Sequence, residues 1–169
     1  MNKTVYIIFL FVFFLLLQVT ILNNILFLGY INPYLYISFV FLYPLNTNRF
    51  PFLSLAFLLG LCIDAFSNSG GIHAFSILYI AYIRLFFVRT IFKKNTSDYL
   101  LFNLRLKTFD KVFNYTAILT VIHHFILFSL INFSFFNFYN VIINTLFSSI
   151  FTLVLYFLGS FIFSKKLYK

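Results

Sequence analysis

Glutamate does not occur in this 169-residue chain, and aspartate occurs three times, at Asp64, Asp98 and Asp110. Charged residues make up 9% of the sequence, against 63% hydrophobic and 24% aromatic. A water-soluble domain of this size could not hide that much apolar surface, so the composition excludes one and indicates an integral membrane protein. The single cysteine, Cys62, excludes an internal disulfide and, lying inside an apolar run, says little about redox compartment. Catalytic patterns are missing as well. There is no His-x-x-Glu-His, no second cysteine for a thiolate site, no glycine-rich phosphate loop and no pair of carboxylates. Three acids are too few for metal-dependent lipid chemistry, which draws on several oxygen ligands. These absences argue against an enzyme, and no cofactor or metal is expected.

What the chain has in excess is apolar length and positive charge. The 29 Phe and 12 Tyr, with abundant Ile, Asn and Lys, fit the coding bias of an AT-rich genome. A net charge of +9 would suggest nucleic acid in a soluble protein. Here the cations sit in short loops between apolar runs, which makes membrane topology the simpler cause and a nucleic-acid partner unexpected. The apolar stretch after Met1-Asn2-Lys3 is too long for a typical signal-peptide core and no small-residue cleavage site follows it, so it reads as a retained first span.

Apolar runs predict six spans, at roughly 4–22, 32–45, 50–67, 72–91, 112–132 and 138–163. The second and third are short and bounded by Asn32-Pro33, Tyr43-Pro44 and Phe50-Pro51. Charge parity supports six. With both termini cytoplasmic, eleven of the twelve basic residues fall on the inner side, and the twelfth, Arg84, lies within span four. The outer loops, about 23–31, 68–71 and 133–137, carry no charge. The basic inner loop 93–111 has an apolar centre, LLFNLRL, and reads equally as an amphipathic helix on the inner leaflet or as a solvated connector. No linker separates domains, so residues 1–169 form one transmembrane domain. The expected fold is an all-α, six-helix transmembrane bundle with both ends inside.

Polar groups within the spans are the functional candidates, because each is costly in a bilayer. Gly60 and Asp64 lie four residues apart on one face of span three, the glycine admitting a neighbouring helix beside the carboxylate. Ser67-Asn68-Ser69-Gly70-Gly71 follows, with good N-cap residues for span four. These features favour Asp64 as a tie across the turn, satisfied by the free N–H groups of the next helix, over a proton or ligand site. His73 is placed to donate to Asp64. Arg84, some 20 Å away at about 1.5 Å per residue, is placed instead to snorkel or to bind helix-end carbonyls. Ala74 and Ala81 share a packing face. In span five, His123 and His124 point about 100° apart and cannot readily share one metal. His123 shares a face with Thr116 and Thr120, and span six carries Thr145, Ser148, Thr152 and Gly159 near one stripe. Interhelical hydrogen bonds in a polar bundle interior are favoured over a substrate path.

The pattern Gly60, Asp64, Ser67, Gly71, His73, Ala74, continuing to Ala81, Tyr82 and Arg84, resembles the rod shape-determining MreD family, in particular its Bacteroidota branch. LLLQVTILNN at 15–24 and INPYLYISFVFLYPL at 31–45 look like that family's first two spans, so the resemblance covers about the first 90 residues. It implies a multi-pass protein of the bacterial inner membrane, a non-enzymatic component of the rod or elongation complex. The implied partners, besides the lipid bilayer, are an MreC-like bitopic protein and, through it, MreB, a SEDS glycosyltransferase and a class B transpeptidase. It implies, too, a bundle similar to the substrate-binding subunits of energy-coupling-factor transporters. That likeness motivates the alternative, a vitamin-type uptake subunit.

Overall fold

The computed structural model describes residues 2–25, 32–45, 48–92, 108–132 and 138–164. Six α-helices occur among them and no strand: α1 (Lys3–Leu16), α2 (Ser38–Leu42), α3 (Arg49–Ser67), α4 (Ile72–Phe92), α5 (Phe109–Ile131) and α6 (Phe138–Ser164). Five helical stretches are long and apolar enough to cross a membrane, namely Lys3–Asn24, Arg49–Ser67, Ile72–Phe92, Phe109–Ile131 and Phe138–Ile162. The first continues α1 through a π-helical turn, Leu17–Ile21, and a 3-10 turn, Leu22–Asn24.

The bundle has an apolar core that also encloses polar side chains, and its outer surface is apolar. Gln18, Asp64, His73, Arg84, Thr116, Thr120, His123, His124, Ser148 and Thr152 are buried, whereas Phe50, Phe66, Tyr82, Phe86 and Ile162 are among many exposed large apolar side chains. In water that distribution would leave an extensive apolar surface wetted. In a bilayer it is the favourable one, since hydrocarbon solvates Phe and Ile while polar groups must find partners within the protein.

The expected second span is corrected by the structure. Residues 32–45 do not form a helix of membrane length. Residues 32–34, without regular structure, lead into a 3-10 turn, Leu35–Ile37, and then the five residues of α2. Eight helical residues rise about 12–14 Å, less than half of a hydrocarbon core of about 30 Å. Apolarity in this segment reflects burial in protein: Tyr36, Ile37, Phe39, Val40 and Phe41 are almost wholly covered. Asn23, near the end of the first helix, bonds Ser67 at the end of α3, while Tyr43 packs its ring on Phe52 in the first turns of α3. Gln18 holds Pro33 near the first of these contacts, so residues 33–43 run alongside α3 from its end toward its start, largely enclosed.

α3 lies along α4, α4 along α5 and α5 along α6. Pro51 is tolerated in the first turn of α3, where its missing N–H removes no helical bond. The helix ends at Asn68, which adopts the left-handed conformation with φ 52°, and Gly70 and Gly71 follow at φ 68° and 95°. Those three positive φ values, at positions 68, 70 and 71, reverse the chain within four residues, a route that side chains with a Cβ rarely take. Of the expected inner loop 93–111, residues 93–107 lie outside the described residues, as do 26–31, 133–137 and the basic tail 165–169.

Gly60 fixes how closely α3 and α4 approach. A Cβ there would meet the Cα of Ala74 and come within 2.7 Å of its nitrogen and 2.9 Å of the His73 carbonyl carbon. All three are backbone atoms, so relief requires moving a helix. Gly60→Val should therefore lower the thermal unfolding midpoint of the detergent-solubilised protein by the equivalent of about 1–3 kcal/mol. Gly159→Ala, where an added Cβ meets nothing within 4 Å, should leave it unchanged.

Candidate functional site

Two buried charges anchor the polar interior, and each meets a helix end. Asp64, on the last turn of α3, accepts from the backbone N–H of His73 through Oδ1 (3.0 Å) and of Ala74 through Oδ2 (2.8 Å). These are the second and third residues of α4, two of the donors that no helical carbonyl can reach. Oδ1 also accepts from Ser69 Oγ at 2.5 Å, and the Asp64 carbonyl accepts from Ser69 N at 3.2 Å. The carboxylate thus caps α4 at the positive end of its dipole and ties the reversing turn. Capping comes from the preceding helix; the serines and asparagine of the turn do not supply it. Ser67 bonds Asn23 instead, and Asn23 accepts from Gln18, which also donates to the Pro33 carbonyl at 3.1 Å.

Arg84 lies twelve residues into α4, about 18 Å from the capped end at 1.5 Å per residue. It is 2% exposed and does not snorkel. One terminal guanidinium nitrogen donates to the carbonyls of Tyr43 (2.5 Å) and Phe41 (3.4 Å), and Nε donates to Tyr115 Oη (3.2 Å). The guanidinium carbon sits 5.0 Å from the centre of the Phe52 ring. Arg84 therefore binds helix-end carbonyls, those at the C-terminal end of α2, where the dipole is negative.

Further hydrogen bonds hold the segment containing α2. Tyr36 Oη lies 3.0 Å from His73 Nδ1 and 2.9 Å from His123 Nε2. One hydroxyl hydrogen serves one imidazole only, so Tyr36 donates to one ring and accepts from the other. His73 donates to Asp64 as expected, through its backbone N–H, while its ring turns to Tyr36. His124 bonds Thr152 Oγ1 (3.1 Å) and, through Nδ1, its own helix at the Thr120 carbonyl (2.8 Å). Thr152 Oγ1 in turn accepts from the backbone N–H of Tyr34 (3.1 Å), at the entry to the short 3-10 turn. The two adjacent histidines serve different helices and share no ligand position. Among the described residues no group of three or more His, Cys, Asp or Glu side chains could hold a metal.

Of the expected polar stripe, His123 and Thr152 make interhelical hydrogen bonds and Thr116 does not. Its hydroxyl donates back to Val112 and Phe113 of its own helix. Thr120 Oγ1, His123 Nδ1, Thr145 Oγ1, Ser148 Oγ and Ser149 Oγ are buried without a hydrogen-bond partner. Ala81 is buried, and Gly71 serves the turn. Sequence reading missed Tyr36, Tyr34 and Gln18. Gln18 carried a detectable signal, a lone amide in an apolar run; Tyr36 did not, standing among twelve tyrosines.

Fold and site together define a helical bundle with five stretches long and apolar enough to cross a membrane, which suggests a multi-pass membrane protein, and with a short enclosed helix clasped by buried polar side chains. Comparison with protein-family profiles, with curated proteins and with solved structures found no match.

Tyr36→Phe should leave the facing nitrogens of His73 and His123 unpaired, and the unfolding midpoint should fall by the equivalent of about 1–3 kcal/mol. Tyr79→Phe, at an exposed position on α4, serves as the control and should be neutral.

Proposed function

We propose that this chain is a non-enzymatic scaffold of the rod or elongation complex in a bacterial inner membrane. It supports lateral peptidoglycan synthesis and cell shape by holding an MreC-like bitopic partner, and through it MreB, a SEDS glycosyltransferase and a class B transpeptidase. The basic end of the bundle, with Arg49, Arg89 and Lys111, faces the cytoplasm in this reading. One observation carries it: the residues of the MreD-like pattern serve architecture. Gly60 and Ala74 set the α3–α4 approach, Asp64 caps α4, Gly71 turns the chain, and His73 and Arg84 hold the segment containing α2. A shared pattern spent on internal contacts suits a protein whose product is a shaped surface.

The alternative, a vitamin-type uptake subunit, draws on the five unpartnered polar atoms on α5 and α6, which a small polar ligand could satisfy. Mass spectrometry of the purified protein separates the two, since a retained vitamin would support uptake.

Affinity capture from native membranes in mild detergent tests the scaffold directly. The expected result is recovery of a one-span protein with a coiled coil, together with wall-synthesis enzymes. Asp64→Asn, which replaces one acceptor oxygen by an amide, should reduce that recovery or the folded yield. Empty capture under conditions that keep other membrane complexes intact would refute the proposal.

A further inference from the structure

A pocket of about 70 Å³ opens between the start of α3 and the second half of α4, lined by Pro44, Leu45, Arg49, Phe52, Leu53, Ala81, Tyr82, Arg84 and Leu85. Its two charged residues are both cations. Arg84 borders it from within the bundle, almost fully buried, and Arg49 borders it from outside, with its side chain exposed. The partners of Arg84 are two carbonyls, a phenol oxygen and a ring face, all uncharged. Arg49 is the first residue of α3, so its charge adds to the positive end of that helix dipole, and the Asn48 side chain makes no capping bond there. Two guanidinium groups and an uncapped helix start around one small cavity repel each other until an anion enters.

The remaining walls say what kind of anion. Phe52, Leu53, Tyr82 and Leu85 are apolar or aromatic, and Tyr82 is 72% exposed on the flank that faces hydrocarbon. The cavity has room for one phosphate-sized group and is far below the roughly 300–1,000 Å³ that encloses a vitamin or nucleotide. An anion approaching along this flank must carry an apolar stem. We infer that the pocket between α3 and α4 binds the phosphate of an anionic phospholipid, with Arg49 and Arg84 flanking the headgroup and an acyl chain running over Tyr82 and Leu85. Basic pockets between membrane helices are a known means of holding acidic lipids.

Native mass spectrometry of the detergent-solubilised full chain tests this, with phosphatidylglycerol and phosphatidylcholine of identical acyl chains as probes. Phosphatidylglycerol adducts should survive activation that strips phosphatidylcholine. Arg49→Gln, at an exposed position that does not threaten folding, should reduce phosphatidylglycerol occupancy at least fivefold. Lys111→Gln, which removes an exposed cation outside the pocket, should leave occupancy unchanged. Equal retention of both lipids, or unchanged occupancy in Arg49→Gln, would overturn the inference. So would displacement of the lipid by inorganic phosphate alone, which would make the ligand a soluble anion, or by an acidic protein segment that co-purifies.

Discussion

Arg84 donates to the carbonyl oxygens of Tyr43 and Phe41, and that contact closes the end of a helix only five residues long. A short helix enclosed in a bundle has a larger share of unpaired backbone groups than any long span, and no water is at hand to satisfy them. Several nearby polar groups answer that need or hold the segment's side chains. Thr152 takes the Tyr34 N–H, Gln18 reaches the Pro33 carbonyl, and His73 and His123 grip Tyr36 from two other helices. Residues scattered over 134 positions of sequence thus converge on one stretch of about ten. The buried polar groups are best understood as the set of partners that lets residues 33–43 lie inside the bundle without forming a full-length helix.

The same logic accounts for the two buried charges. Asp64 and Arg84 lie on opposite sides of the bundle's long dimension and do not meet. Each is matched to a helix terminus of opposite sign: the carboxylate to the N-terminal amides of α4, the guanidinium to the C-terminal carbonyls of α2. A buried ion pair would have to recover two desolvation penalties from a single contact. Matching each charge to fixed backbone dipoles spreads that penalty over groups that themselves lacked partners, so one contact resolves two deficits. Gly60 makes the Asp64 contact geometrically possible, because only a residue without Cβ lets α4 come near enough to present its first turn to the carboxylate.

Five helical stretches were legible in the sequence because apolar length near 20 residues and flanking polar turns suffice to mark them. The fourth and sixth expected spans differ from α4 and α6 by a single residue at one end. The segment at 32–45 misled because apolarity records burial without saying whether lipid or protein does the burying. Its length of only 14 residues, with Asn32-Pro33 at its start and Tyr43-Pro44 near its end, was the available warning. Helical spacing placed Thr116, Thr120 and His123 on one inward face, as their burial shows. Spacing could not name their partners: Tyr36 lies 87 residues from His123, and only the tertiary fold joins them. His73 does donate to Asp64, as its position suggested, but through its backbone N–H, and the role of its ring was not legible. Proximity in sequence suggested the carboxylate nine residues away, whereas the ring turns to a phenol on another segment.

The central claim is that the α2 segment is an enclosed structural element held from its ends by side chains, Arg84 foremost. Hydrogen–deuterium exchange of the protein in lipid nanodiscs measures this at the amides of Ser38–Tyr43. The account predicts protection there comparable to that in the middle of α4, and in Arg84→Met a selective loss of that protection while α3 and α4 keep theirs. Rapid exchange of these amides in the unaltered protein, or full protection persisting in Arg84→Met, would contradict it.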